Sequence, residues 1–305
     1  MDEPVASYAK VGAVHPMLWP ATMKGGGPIR KTIERLAADT DFDAVEVTTI
    51  ADPETRRQVR DTLHAARMTV AFAAQPILLG RTLDLNAPDD AARAEAVEAV
   101  KEGIDQAYSL DAVACAVLSG PDPGPADREQ ATDLLVDSLK WLCDYSAQKG
   151  PMPIVLETFD RLHFGKNCLI GPSAEAAEVA RRVRQDFPSF GLMLDLSHLP
   201  LLGESAEQAI DATREFLVHA HIGNCVMHDS EHEAFGDNHP RFGVPGGEND
   251  VPQLTAFLRK LLHSGYLDPV RRPIVSFEVK PLLGESVEAL IAGSKRTLAE
   301  AWAAV

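Results

Sequence analysis

Residues 153–196 read PIVLETFDRLHFGKNCLIGPSAEAAEVARRVRQDFPSFGLMLDL, and this stretch contains the repeating unit that decides the fold. Two short apolar runs, residues 153–159 and 190–196, flank a segment with a helical pattern. An apolar strand, a helix and a second apolar strand are typical of a βαβ unit in a parallel sheet. The near-continuous hydrophobicity of both runs is what strands covered on both faces require.

The same unit recurs along the whole chain. Eight apolar runs predict eight strands, at residues 11–19, 44–50, 69–75, 112–118, 153–159, 190–196, 217–222 and 273–279. The repeat count and the length of 305 residues match a closed barrel, so we predict an α/β fold with a single (β/α)8 TIM-barrel domain over residues 1–305. An open doubly wound sheet is the alternative, but no GxGxxG motif follows the first predicted strand.

Capping residues at the predicted helix starts support this alternation. Asp52 lies directly before a proline, which is typical of an N-cap followed by the first helical residue. Asp127 and Ser205 are each followed three residues later by glutamine, which is the spacing of a capping box. We therefore expect a helix to begin after each of these three residues.

Two connections are longer than a minimal barrel needs. Residues 76–88 follow the third predicted strand, and residues 223–249 follow the seventh. In a barrel both connections lie on the face where the strands end, and active sites are built on that face. We expect them to form substrate walls or lids.

Charge and cysteine content exclude several classes of protein. The net charge of −16 argues against a nucleic-acid partner, because a phosphate backbone is bound by a cationic surface. Residues 1–10 lack a basic segment that leads into an apolar stretch, and no apolar run elsewhere is long enough to span a bilayer, so we expect neither an exported protein nor a membrane protein. The cysteines are widely spaced and form no CxxC pair, which favours a reduced, cytoplasmic protein: Cys115, Cys143, Cys168 and Cys225.

Ionisable residues interrupt the last four predicted strands near their ends. These residues are Glu157, Asp195, His221 and Glu278. Burying one such charge is costly, whereas burying several together is tolerable when they share a cation. Three carboxylates and one imidazole form an oxygen-rich set, which suits one divalent metal ion. Mn²⁺ is our first choice, with Mg²⁺ or Co²⁺ as alternatives.

Two alternatives stay open for this set. Each residue could belong to a separate structural ion pair at the barrel rim, because a lone carboxylate at a strand end is common. Ligand-type residues at the ends of four successive strands are much harder to explain by packing. His219 competes with His221, since strand alternation sends both side chains to the same side. The position nearer the end of the strand favours His221.

These residues carry a resemblance to a known family. The series Glu157, Asp195-Leu-Ser-His198, His219-Ala-His221 and Glu278 resembles the xylose isomerase-like TIM-barrel superfamily over nearly the whole chain. The superfamily includes sugar isomerases, ketose 3-epimerases and related lyases.

The resemblance implies a role for each matching residue. It assigns metal binding to Glu157, Asp195, His221 and Glu278. It implies that the two glutamates form the catalytic acid/base pair and that His198 contacts the substrate, with a catalytic role in the reaction.

The segment after His221 departs from the epimerase pattern. Ketose 3-epimerases usually continue with a glutamate and a nearby arginine, whereas this chain continues Ile-Gly-Asn. The first following arginine is Arg241, which lies close to His239 in the 223–249 connection. We expect His198, His239 and Arg241 to form the reaction-specific half of the site.

Two further residues are candidate substrate contacts. Glu46 lies on the second predicted strand, and a structural hydrogen bond is its alternative role. Trp19, at the end of the first predicted strand, could form an apolar wall for a sugar ring, with core packing as the alternative.

The resemblance implies an enzyme that removes a proton next to a metal-bound carbonyl of a sugar or keto-sugar, giving isomerisation or epimerisation. Elimination is the lyase alternative, as in the large subunits of bacterial C-glycoside deglycosidases, which act on 3-keto glycosides and pair with a small subunit. A non-catalytic carbohydrate-binding barrel is a second alternative. Endonuclease-type barrels are disfavoured by the acidic charge and by too few ligands for a three-metal cluster.

The expected binding partner is a small carbohydrate or glycoside. We also expect either a homo-oligomer or a complex with a small companion subunit.

Overall fold

Eight parallel strands close into one barrel in the order of the sequence. The structure is a computed structural model and describes residues 3–161 and 164–305. The strands are β1 (Lys10–Val14), β2 (Ala44–Val47), β3 (Thr69–Ala73), β4 (Cys115–Val117), β5 (Ile154–Glu157), β6 (Gly191–Asp195), β7 (Leu217–Gly223) and β8 (Ile274–Glu278). The predicted TIM barrel is therefore confirmed, and each of the eight predicted runs contains or overlaps one strand.

The helices are α1 (His15–Leu18), α2 (Ile29–Ala37), α3 (Pro53–Ala65), α4 (Gln75–Arg81), α5 (Asp90–Ser109), α6 (Arg128–Ala147), α7 (Ser173–Arg184), α8 (His198–Leu202), α9 (Ala206–Thr213), α10 (Val251–His263) and α11 (Val287–Ala303). The longer helices cover the outside of the barrel, and the short helices α1, α4 and α8 follow closely after β1, β3 and β6. None of the helices in the described residues is both long and apolar enough to cross a membrane.

The predicted helix caps are confirmed at two of three positions. The Asp52 side chain accepts a hydrogen bond of 2.8 Å from the Thr55 amide, and Ser205 forms a reciprocal capping box with Gln208. A helix, α6, begins directly after Asp127 as predicted, but the Asp127 side chain caps no amide of that helix. The Asp127 backbone (φ −113°, ψ 0°) is not the extended conformation that directs an N-cap side chain towards the first turn.

The first strand of the structure ends earlier than predicted. Residues 11–19 were expected to be extended, but β1 ends at Val14 and α1 begins at His15. Pro16 explains the change, because proline lacks an amide hydrogen and fits the first turn of a helix. The apolar residues that follow Val14 therefore leave the barrel wall and reach the face where the strands end.

The fold holds His15 neutral in its interior. His15 is 3% exposed, and its Nε2 lies 2.7 Å from Thr32 Oγ1. Burial lowers the pKa of His15 from 6.5 to about 4. Above pH 6.5 the residue is neutral in both the folded and the unfolded chain. Below that value the unfolded chain gains a proton that the folded protein does not accept, so stability falls as the pH falls from 6.5 to 4.

This shift predicts a pH-dependent loss of stability. Between pH 7 and pH 5 the wild-type protein should lose about 2 kcal/mol of unfolding free energy through His15. The His15→Gln variant should lack this component. Urea unfolding in excess EDTA measures the difference, with His64→Gln on the exposed side of α3 as the control. Equal pH dependence in the wild type and both variants would contradict the prediction.

Candidate metal centre

The ends of four neighbouring strands bring the predicted ligands together. Glu157 ends β5, Asp195 ends β6, His221 lies on β7 and Glu278 ends β8. The parallel register pairs Asp195 directly with His221, and it places Gly223 beside Glu278. A Cβ atom on Gly223 would lie 2.6 Å from the Glu278 carbonyl oxygen, so glycine is required for this close approach.

One donor atom from each of the four residues points to a common centre. Each of the four residues offers one ligand atom within 4.8 Å of the other three. The atoms that face the centre are Glu157 Oε1, Asp195 Oδ2, His221 Nδ1 and Glu278 Oε2. His221 Nδ1 lies 2.6 Å from Glu278 Oε2, 3.5 Å from Glu157 Oε1 and 3.8 Å from Asp195 Oδ2. Glu157, Asp195 and His221 are at most 2% exposed.

The donor set fits a divalent cation. Each of the four atoms is buried and has no well-directed hydrogen-bond partner among the described residues. Buried polar atoms in proteins are almost always paired, so four such atoms facing one point need an explanation. A cation satisfies all of them at once and offsets the cost of burying three carboxylates. Oxygen ligands with one imidazole suit Mn²⁺, Mg²⁺ or Co²⁺.

Glu46 orients the imidazole ligand from behind. Its Oε1 lies 2.9 Å from His221 Nε2 and 2.7 Å from His219 Nε2. Burial alone would raise the pKa of Glu46, but the two histidines outweigh it and hold that pKa well below its usual range. An ionised Glu46 accepts a hydrogen bond from the N–H at His221 Nε2, which leaves the Nδ1 lone pair free for a cation. His221 is favoured over His219 as the ligand because its Nδ1 faces the three carboxylates of the candidate metal centre.

Removing the Glu46 charge should weaken metal binding. The Glu46→Gln variant keeps the size of the side chain but no longer stabilises the required His221 tautomer. We expect the affinity for Mn²⁺ to fall about 10- to 100-fold, as is typical when a residue that orients a ligand is lost. Calorimetric titration of the metal-free protein measures the change, and Glu34→Gln on the exposed face of α2 is the control. Wild-type affinity in Glu46→Gln would show that Glu46 has only a packing role.

A second buried network adjoins the candidate metal centre, and Asp237 connects its members. Asp237 Oδ1 lies 3.1 Å from His198 Nε2 and 2.7 Å from His239 Nε2, while Oδ2 accepts a 2.7 Å bond from Lys166 Nζ. Burial alone would raise the pKa of Asp237, but these three cationic groups hold it well below its usual range. The carboxylate thus links the connections after β5 and β7 to the start of α8.

His198 is fully buried and both of its ring nitrogens have partners. Nδ1 lies 2.7 Å from the Thr158 carbonyl oxygen, and Nε2 faces Asp237. Burial alone would lower the pKa of His198, but Asp237 and Asp195 outweigh it and raise the pKa to about 10. The ring is therefore protonated at neutral pH and donates to both neighbours.

His239 has an unusual backbone conformation. Its φ of +50° lies in the left-handed region, which is uncommon for residues other than glycine. The backbone is held there by a 2.7 Å hydrogen bond from the Lys280 amide to the His239 carbonyl oxygen. The side chain reaches the centre, with Nδ1 3.8 Å from Asp195 Oδ2 and Nε2 3.7 Å from Glu278 Oε1. Strained backbone of this kind concentrates at functional sites.

A cavity of about 770 Å³ opens onto the candidate metal centre. The polar part of its lining includes Glu157, His221, Glu278, Gln75, His239, Asp237 and Lys166. The apolar part includes Met17, Pro20, Met23, Pro76, Ile77 and Leu79. Residues from both long connections, 76–88 and 223–249, contribute to this lining, and so does the segment that follows β1.

The structure brings some of the predicted substrate residues to the cavity and places others elsewhere. His239 lines the cavity, whereas His198 lies behind it. Arg241 is outside the cavity lining, because its guanidinium turns towards Glu285, with Nε 3.0 Å from Oε1. Trp19 lines a separate shallow surface pocket beside Arg35.

Glu46 is also absent from the cavity lining. It is 1% exposed and lies behind the imidazoles, which corrects the expectation of a direct substrate contact.

Three residues of the site were not anticipated from the sequence. Gln75 binds Glu157, and Asp237 with Lys166 completes the buried network. The only available signal for Gln75 was its place at the end of the third predicted strand. Asp237 gave a weak signal, since it lies two residues before His239 in the 223–249 connection.

The fold and the site together define a (β/α)8 barrel with a candidate divalent-metal centre at the carboxyl ends of its strands. A family model described as the xylose isomerase-like TIM barrel matches residues 35–292. The chain belongs to this family.

Several solved structures share the fold over nearly the full length of both chains. A D-psicose 3-epimerase in the presence of D-fructose is 17% identical, covers 96% of this chain and 97% of its own, and has a TM-score of 0.69. An L-ribulose 3-epimerase is 18% identical, with coverage of 97% and 96% and a TM-score of 0.70.

A family 2 AP endonuclease from Brucella melitensis is also similar. It is 18% identical, with coverage of 93% and 97% and a TM-score of 0.65. At these identities the likeness establishes the fold. No functionally curated protein sequence gives a significant match.

Proposed function

We propose that the protein is a divalent-metal-dependent enzyme of the sugar isomerase or epimerase type, which removes a proton next to the carbonyl of a sugar or keto-sugar. The observation that carries the proposal is the set of four buried ligand atoms of Glu157, Asp195, His221 and Glu278, which have no well-directed hydrogen-bond partner among the described residues and face one point beside a large cavity. Mn²⁺ is the proposed metal, because the set is rich in oxygen and includes one imidazole.

A bound cation would supply Lewis-acid stabilisation of the negative charge that develops when a proton leaves the carbon beside a carbonyl. The chain itself supplies the groups that move the proton. Glu278 is the carboxylate more open to the cavity, with its side chain 14% exposed against 2% for Glu157. We assign proton removal to Glu278, which becomes a carboxylic acid in that step. In epimerisation, Glu157 would first take up a proton from solvent or from a substrate hydroxyl group and then deliver it to the opposite face of the same carbon.

The network around Asp237 would position the other groups. His198 holds the Thr158 carbonyl and Asp237, so it fixes the end of β5 relative to the 223–249 connection. His239 extends from that connection to the cavity and lies within 4 Å of Asp195 and Glu278. We therefore propose His239 as the substrate-binding member of the network, with His198 as a positioning residue.

A panel of keto-sugars tests the proposal. Metal-free protein and protein reconstituted with Mn²⁺ are incubated in D₂O with D-fructose, D-psicose, D-tagatose or L-ribulose. Mass spectrometry then measures deuterium incorporation, and chromatography identifies the products. Deuterium incorporation that needs the metal supports proton abstraction. Binding of a sugar with no exchange in any case would favour a non-catalytic carbohydrate-binding barrel instead.

The apolar part of the cavity favours a second candidate function, the cleavage of 3-keto glycosides. Met17, Met23, Ile77 and Leu79 offer a surface that a free sugar does not need, and cavities of this size hold drug-sized ligands. Proton removal beside the keto group, followed by departure of a β-substituent, would give elimination from the same site.

Adding methyl and phenyl 3-keto glucosides to the panel distinguishes the two functions. Release of phenol, with faster turnover of the phenyl compound than of the methyl compound, supports the lyase. Metal-dependent deuterium exchange without release of either alcohol supports the isomerase or epimerase.

A further inference from the structure

Gln75 is a buried polar residue that the proposed chemistry has not yet used. It is the first residue of α4, it follows the end of β3 after one intervening residue, and it is 7% exposed. Its side chain lines the same cavity as the candidate metal ligands. Gln75 Nε2 lies 2.6 Å from Glu157 Oε2, across a separation of 82 residues in the sequence.

Simple chemistry sets the orientation of the Gln75 amide. An ionised carboxylate only accepts hydrogen bonds, so the amide nitrogen must face Glu157 Oε2 and the amide oxygen must face away. That oxygen, Gln75 Oε1, is buried and has no hydrogen-bond partner among the described residues. A buried acceptor without a partner is rare in native proteins. Its place beside a substrate-sized cavity gives this acceptor a natural partner in a ligand hydroxyl group.

The same bond constrains the metal-facing carboxylate. Glu157 presents Oε1 to the common centre and Oε2 to Gln75, so the two oxygens have different partners. With Oε2 held by Gln75, the carboxylate cannot rotate to exchange its oxygens without losing a buried hydrogen bond. Loss of a residue that holds a metal ligand in this way commonly lowers the metal affinity about 10- to 100-fold.

We infer that Gln75 links the metal centre to the substrate: its Nε2 positions Glu157 for the cation, and its Oε1 accepts a hydrogen bond from a hydroxyl group of the bound sugar. The substrate half of this inference rests on the proposed function. The metal half does not, because it concerns only the orientation of a buried carboxylate.

The Gln75→Met variant tests both halves. Methionine has nearly the same length and removes both the donor and the acceptor. We expect the affinity for Mn²⁺, measured by calorimetric titration of metal-free protein, to fall about tenfold or more. At saturating Mn²⁺ we expect KM for the panel sugar with the highest kcat/KM to rise about tenfold, because a hydrogen bond to the substrate is lost.

A surface glutamine offers a matched control. Gln58 Nε2 donates a 2.7 Å hydrogen bond to Glu54 Oε1 on α3, so Gln58→Met removes the same kind of bond outside the cavity. This variant should match the wild type in both measurements. The melting temperature is recorded for every variant. If Gln75→Met does not fold, Gln75→Asn replaces it, since its amide is one methylene too short to reach Glu157 and the substrate together.

The outcomes separate this inference from the proposed function. Wild-type Mn²⁺ affinity in the Gln75 variant overturns the positioning role. Weakened Mn²⁺ binding with an unchanged KM at saturating metal overturns the contact with substrate. If no sugar of the panel shows deuterium exchange with the wild-type protein, the proposed function is contradicted, and so is the contact between Gln75 and the substrate. The Mn²⁺ titrations decide the positioning role in that case as well.

Discussion

Replacing Asp195 by asparagine is expected to abolish metal binding and sugar turnover together. Asp195 is fully buried, and its Oδ1 accepts a 2.6 Å hydrogen bond from the Ser197 amide. Asparagine keeps the size of the side chain. Its single oxygen would stay with the Ser197 amide, which would leave the NH₂ group facing the cation site. An amide nitrogen of this kind donates hydrogen bonds and offers no lone pair to a cation.

The effect of this substitution should be large and specific. We expect metal-dependent deuterium exchange to fall about 10³-fold or more, because the charge that develops in the reaction loses its main stabilising group. Metal analysis and the exchange assay are run on the same preparation. Asp186→Asn, at an exposed ion pair with Lys140, is the control. An Asp195→Asn protein that binds one Mn²⁺ with wild-type affinity would remove Asp195 from the ligand set.

Replacing Glu278 by glutamine should separate metal binding from proton transfer. Glutamine retains one oxygen for the cation but cannot take up a proton at neutral pH. We expect the protein to keep its metal while the rate of deuterium exchange falls about 10²- to 10⁴-fold, the usual range for loss of a general base. Glu288→Gln, near the exposed start of α11, serves as the control.

The Glu278 result also tests the assignment of roles within the acid/base pair. A Glu278→Gln protein with metal and full exchange would show that another group removes the proton. Glu157→Gln would then be the next variant to examine, since Glu157 is the other carboxylate that both faces the centre and lines the cavity.

The barrel could be predicted because its signal is local and repeats. Each strand is a short apolar run, and Glu157, Asp195, His221 and Glu278 stand out because a charge inside such a run needs a partner. Once the strands are parallel and closed, their ends meet on one face, so the four side chains come together. The first predicted strand extends past His15, whereas the structure has a helix from that residue, because an apolar run does not reveal where a proline turns the chain.

The rest of the site depends on contacts that leave no local signal. The bond between Gln75 and Glu157 joins residues 82 positions apart, and the bond between His198 and Asp237 joins residues 39 positions apart. Arg241 lies only two residues after His239, yet it turns towards Glu285 and away from the cavity. The direction of a loop side chain is set by its tertiary neighbours, so the sequence could identify the connection but not the residue that faces the substrate.

Deuterium exchange with and without metal tests the central claim most directly. The protein is treated with EDTA, dialysed into D₂O and divided into two samples, one of which receives Mn²⁺ before the sugar panel is added. The predicted result is a gain of one mass unit by at least one sugar in the Mn²⁺ sample and none in the metal-free sample. Exchange at the same rate in both samples, or a protein that binds no divalent cation, would contradict the proposed metal-dependent proton abstraction.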